Sequence, residues 1–357
     1  MGITQHSSRS RSPSASAEAP ENDPTPRRLR ARPPGRPAPK VLRPPIAGAR
    51  DTMFEITYRR GVLAVVLAAL LWSTMGLLIR LIGDAGTWQI LFWRSVGMVP
   101  VLFVFIAWRS GGRPFHAVQK AGLAGAFGGF GLVFAFAGAI YAYQETTVAN
   151  AAFLFSASSL ITAALAWPIL KEPVRRATWV AIAVALVGIA LMVREGLAAG
   201  AMAGNIAALA SAFGFAAFTI TLRWGRLGDM LPAVVLGGSF AIVVAWSVIT
   251  LNGETVRVSA TDAGIAVAMG VIMLGGGMMI YTLGSRVVPA ADLALLTMVE
   301  VLCAPIWVWV LLGETAGQGT MIGGAVLLAA LAFNALTGLR HRPPVGRCQN
   351  NANKSQV

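Results

Sequence analysis

Histidine is almost missing from this chain, and the placement of the three present excludes whole classes of chemistry. His6, His116 and His341 all fall outside the long apolar runs, so a serine–histidine protease or an HExxH zinc site within those runs has neither base nor ligand. Cysteine is scarcer still, with Cys303 in an apolar run and Cys348 in the polar C-terminal stretch. Two such residues make no disulfide framework and no zinc set, and Cys303 reads as a small buried hydrophobe. No GxxxxGKS/T loop is present, which removes direct use of ATP. Charged residues make up only 12% of the chain. An enzyme, a resident metal and a cofactor are therefore not expected.

What fills the chain instead is apolar: 56% hydrophobic residues and a mean hydropathy of +0.66, far from a soluble globular composition. The formal charge is +14, yet twelve of the 29 basic residues precede Gly61. The charge thus describes a tail and some loops, and nucleic acid is not an expected partner. Residues 1–52 are Arg, Pro, Ser and Ala with hardly an aromatic, a composition that cannot offset its own ordering entropy and is expected to be disordered. They hold no apolar core of a secretory signal. Met53, where MFEITYRRG leads into the first apolar run, is a candidate native start, to be decided by intact mass. Residues 340–357 read as a second disordered tail.

From Gly61 onward ten runs of about 20 residues, the length that crosses a hydrocarbon core of ~30 Å, are expected at 61–82, 87–108, 119–141, 146–170, 174–193, 201–222, 230–250, 262–284, 288–312 and 319–339. Within lipid only helices satisfy the backbone at these lengths, so the fold class is an all-α integral membrane protein. Residues Ala121–Ala190 are repeated without a gap by Ala263–Ala332, with Gly122/Gly264, Gly128/Gly270, Leu154/Leu296, Trp167/Trp309, Glu172/Glu314, Thr178/Thr320 and Leu186/Leu328 identical. Two repeats of five helices, 61–193 and 201–339, follow.

Basic residues alternate between the connections. One set holds Arg109, Arg113, Lys120, Lys171, Arg175, Arg176, Arg223, Arg226 and Arg286, together with both chain ends; the other holds little besides Arg194 and Arg257. The positive-inside rule places both termini in the cytoplasm of a multi-pass protein of the cytoplasmic membrane. Five spans is an odd number, so the repeats are expected to enter the membrane from opposite sides, an inverted repeat whose halves can rock about a central site.

The two five-span repeats, the Glu closing spans 4 and 9 in AWPILKEP and VWVLLGET, the first-span AALLWSTMGLLIRLIG and the span-2 arginine in QILFWRSVGM resemble the drug/metabolite transporter superfamily, specifically its EamA-type members. The resemblance covers residues 61 to 339. It implies carriage of small metabolites, amino acids and related compounds among them. Such members often carry a proline near the centre of span 4, where this chain reads FSASSLITAALAW; the matching segment TMVEVLCAPIW carries Pro305.

Glu300 is the foremost site candidate. At ~1.5 Å per residue it lies ~15 Å into span 9, where a carboxylate costs at least ~2.5–3.5 kcal/mol and must face a cavity or a cation. Substrate contact, proton coupling and a structural hydrogen bond between helices all remain open for it. Arg94, two turns into span 2, offers a planar clamp for a carboxylate or phosphate, a partner for Glu300, or a snorkelling cation. Glu172 and Glu314 read as a family signature whose chemistry is more simply a helix-end contact than substrate binding. Asn150 and Asp292, equivalent in the repeats, sit where helix-start capping or dipole matching is expected. Trp72, Ser73, Tyr141, Tyr143, Phe153, Ser156, Ser158, Tyr281 and Trp307 are candidate cavity linings or ordinary packing. Trp88, Trp108, Trp179 and Trp224 read as interface anchors, and the glycines of GLAGAFGGFG and MLGGGMM as close helix contacts. The expected function is secondary active transport of a small organic metabolite, outward across the cytoplasmic membrane, with protons as the coupling candidate. Uptake by the same fold and a receptor or scaffold role stay open, while a channel finds no ring of charges.

Overall fold

Ten helices long and apolar enough to cross a membrane form the computed structural model, which describes residues 57–339. They run Tyr58–Arg80, Thr87–Arg109, Pro114–Glu145, Val148–Leu170, Arg176–Ala198, Met202–Trp224, Leu231–Leu251, Ala260–Gly284, Asp292–Leu312 and Gln318–Gly338, here spans 1 to 10. No strand occurs among the described residues. Both tails, the Met53 start, Cys348, His6 and His341 lie outside the described residues. His116 needs a correction. Span 3 starts at Pro114, a residue preorganised for a first helical turn, so His116 is inside the helix and exposed at its end.

Four spans are interrupted, each for an identifiable reason: span 3 kinks at Gly122, whose φ of 54° and ψ of −149° leave the helix as only glycine does readily. Span 1 breaks at Thr74, where the Ser73 and Thr74 hydroxyls donate to the Leu70 and Leu71 carbonyls, both at 2.7 Å. Span 4 breaks at Ala157, after Ser156 donates to the Phe153 carbonyl at 2.6 Å. Hydroxyls that bond back along a helix compete with its ladder and bend it. The proline missing from span 4 is thus no obstacle to a break there. Span 8 widens into a π-helix over Met269–Gly276, a stretch with three glycines.

Helices of the two repeats interleave. Span 3 packs on spans 6 and 7, span 4 on span 6, and correspondingly span 8 packs on spans 1 and 2, and span 9 on span 1. Each contact thus has its counterpart with the repeats exchanged. Two four-helix groups result, spans 1, 2, 8 and 9 and spans 3, 4, 6 and 7, each with two helices of either repeat. They meet where span 2 touches span 7 and span 4 touches span 9, while spans 5 and 10 pair with each other. The spans 3–6 contact is close from both sides: a Cβ on Gly131 would lie 2.8 Å from the Gly214 carbonyl oxygen, and one on Gly214 2.6 Å from that of Gly131. Small residues that let backbones touch are how helices associate when lipid removes the hydrophobic drive.

Candidate functional site

Span 1 carries two indole contacts into the interior. Trp72 Nε1 donates to the Met273 carbonyl in the π-helical turn at 2.9 Å, and its ring lies 5.4 Å from that of Tyr281. The bare Gly277 makes the room: a Cβ there would collide with the indole nitrogen. Trp307 Nε1 donates to Ser73 Oγ at 2.9 Å. Both indole N–H groups are therefore committed to the scaffold, and the aromatic faces are what remains for a solute. Glu300 and Trp307, seven residues apart on span 9, share one helix face.

Arg94 is the anomaly. It is 2% exposed, its guanidinium stands 4.8 Å over the Phe136 ring, and its Nε and Nη2 are buried with no hydrogen-bond partner. A Cβ on Gly270 of span 8 would clash with the Arg94 carbonyl, so the backbone beneath the guanidinium is clamped. An uncompensated buried charge costs several kcal/mol, far more than the cation–π contact of about 2 kcal/mol returns. Glu300 is half-buried and makes neither ion pair nor hydrogen bond among the described residues. The Arg94–Glu300 pair anticipated as one alternative does not form. Tyr143 of span 3 stands within electrostatic range of both, so the two charges flank one tyrosine without touching.

Ser158 is buried immediately after the span-4 break, at the repeat position equivalent to Glu300. Tyr141 turns outward and Phe153 packs on Gly324 of span 10, so neither joins this group. Trp108, Trp179 and Trp224 are exposed near helix ends, while Trp88 packs on the core. Neither Asn150 nor Asp292 is a cap, but Asp292 lies in the first turn of span 9, where its charge matches the helix dipole. Thr147 Oγ1 caps span 4, Asn150 bonds Thr146 and Asn205, and Asp292 accepts from the Tyr58 hydroxyl at 3.1 Å. Two surface clefts, one around Leu160 and Ile189 and one around Val104 and Trp108, are lined by apolar residues and hold none of these groups.

Glu172 and Glu314 both leave helices through a left-handed residue, Lys171 at φ 55° and Gly313 at φ 69°. In both, the Glu N–H returns to the carbonyl six residues earlier, a loop one residue wider than the Schellman closure. Each then meets an arginine: Glu172 pairs with Arg223, and Glu314 Oε2 lies 2.9 Å from Arg80 Nε. The latter approach is too oblique for a hydrogen bond, so charge attraction carries it. Arg80 escaped notice in the sequence because it matches Arg223 at an offset of 143, one residue off the 142 that aligns the ungapped repeat.

Residues 59–194, the first five spans, match the model of the EamA-like transporter family. That part of the chain is similar to one EamA-like repeat, and the ten spans fit an EamA-type drug/metabolite transporter. With ten apolar helices the chain is a multi-pass membrane transporter of the drug/metabolite type. Fifteen chains of solved structures match. One, described only as "Crystal structure of protein", is 18% identical with a TM-score of 0.56, covering 80% of this chain and all of that one. Likeness at that identity speaks for the fold alone. No curated protein matches.

Proposed function

We propose that this EamA-type chain is a secondary active transporter that works by alternating access and carries a small organic metabolite, an amino acid or related compound, outward across the cytoplasmic membrane. The observation that carries the reading is Arg94: a buried guanidinium with two unpartnered nitrogens, near the apolar centre of ten helices. A scaffold gains nothing from that arrangement. A carrier does, because the anionic group of an arriving solute supplies the missing acceptors and offsets the desolvation. Glu300 is the candidate proton site, Trp72, Tyr281 and Trp307 supply aromatic walls, and Ser158 is a candidate hydroxyl. The loop charges favour cytoplasmic termini.

The test is transport. Cells overexpressing the chain are screened for resistance to toxic metabolites, and their medium is analysed by mass spectrometry. Proteoliposomes are then loaded with the compound found. Saturable counterflow, lost in Arg94→Ala and Glu300→Gln with membrane insertion intact, is expected. Accumulation in cells instead of medium would turn the direction to uptake, and wild-type rates in both variants would remove these residues from the mechanism.

A further inference from the structure

The two repeat-related ion pairs occupy different states, and the difference points to a device. At one end of the bundle, Glu314 Oε1 also accepts from the Val148 N–H at 2.6 Å, the first turn of span 4. Its partner Arg80 donates through Nη2 to the Thr146 carbonyl at 2.7 Å and through Nη1 to that of Gln144 at 3.4 Å. The two side chains are 19% and 26% exposed. At the other end Glu172 has Arg223 as its one partner among the described residues, and the pair is 46% and 45% exposed.

Which helices these contacts join is decisive. Each ion pair lies within a four-helix group: Arg80 and Glu314 belong to spans 1 and 9, Glu172 and Arg223 to spans 4 and 6. Only the Glu314 contact with Val148, and the Arg80 contacts with Thr146 and Gln144, reach across to the other group. The repeat supplies an equivalent seat for Glu172. Counting 142 residues on, Val148 corresponds to Ala290, and Gln144 and Thr146 to Arg286 and Val288. The backbone of that seat is already formed, since Thr147 before span 4 has φ −63°, ψ 144° and Pro289 before span 9 has φ −59°, ψ 146°.

We propose that Glu314 and Glu172 are alternating latches: Glu314 seated on the start of span 4 holds one end of the bundle shut, and in the opposite state Glu172 seats on the Ala290 N–H at the start of span 9 while Glu314 lets go. Arg80 and Arg223 travel with their glutamates and reinforce each seat through the carbonyls beside it. A carboxylate at a helix N-terminus gains from the dipole and from a charge-assisted bond to a free N–H. An exposed ion pair gains little. The seat, not the ion pair, therefore sets which end is closed. This rests on the alternating-access reading, but it names the residues that switch the equilibrium.

Spin labels read it without any substrate. In the full chain with Cys303 and Cys348 replaced by serine, one label pair at positions 145 and 315 spans the two groups at the Glu314 end. Another at 59 and 228 spans them at the Glu172 end. Val148→Pro removes the donor of the occupied seat at a helix position that tolerates proline. It is expected to shift the 145–315 distances longer and the 59–228 distances shorter, with roughly a ten-fold change in population ratio for one charge-assisted bond. Ala290→Pro should drive both the opposite way, and Glu314→Gln should follow Val148→Pro more weakly. The exchange Arg80→Glu with Glu314→Arg should fail to restore wild-type distances, because an arginine cannot accept from Val148. Rescue by that exchange, or unchanged distances in both proline variants, overturns the latch. Absence of counterflow in the unmutated chain, with the opposed shifts intact in the variants, would overturn the carrier reading alone.

Discussion

The two repeats share a scaffold and differ in chemistry. Both close their fourth helix with a left-handed residue and a glutamate, both tie that glutamate to an arginine, and both present an extended residue before the helix start. The interior charges obey no such rule. Glu300 in the second repeat corresponds to Ser158 in the first. Arg94 in the first corresponds to the neighbourhood of Gly237 in the second, where the backbone packs on Leu132. Repetition thus governs the helix ends, while the interior charges are singular.

The largest effects should come from the singular residues. Arg94→Ala and Glu300→Gln are each expected to lower transport on the order of 100-fold, the consequence of ~3 kcal/mol, with normal insertion by surface labelling. Moving the carboxyl to its mirror position, Ser158→Glu in Glu300→Ser, should not restore transport, since span 2 offers only one Arg94. Recovery in vesicles would show that the repeats are chemically interchangeable after all. Next comes Gly131→Val, which drives two methyl groups into the Gly214 carbonyl. Overpacking of 1–3 kcal/mol or more is expected, read as a lowered melting temperature in detergent. Smaller still, Trp307→Phe deletes one bond to Ser73, worth about 1 kcal/mol, and should slow counterflow only a few-fold.

The smallest pair sharpens the comparison most directly. Lys171→Gly relieves a left-handed residue with a side chain and should stabilise by roughly 1 kcal/mol, while Gly313→Ala at the equivalent position should destabilise by a similar amount. Thermal unfolding in detergent reads both. Equal and opposite shifts would establish that the two helix ends are the same motif in different dress.

Much of this architecture was legible in the residues. Ten apolar runs set the helix number, because lipid leaves the backbone no alternative, whereas the interleaved packing of the repeats was not read from them. The span-3 start was placed late because His116, Gln119 and Lys120 lower local hydropathy, though Pro114 marks the first turn. Arg94 and Glu300 stood out because charge within such runs is rare, yet their separation around Tyr143 depends on how three helices are rotated, which periodicity does not give. Arg80 was overlooked for a one-residue shift, and with it the network that binds Glu314 to span 4.

Gly131 and Gly214 carry a last implication. Where two main chains touch with no side chain between them, there is nothing to slide on, so spans 3 and 6 are welded although one comes from each repeat. On the proposed alternating-access reading, any boundary of motion therefore runs across the duplicated units, not between them. Separating the two repeats into independent polypeptides would split both rigid bodies, and each half on its own would expose backbone built to meet backbone.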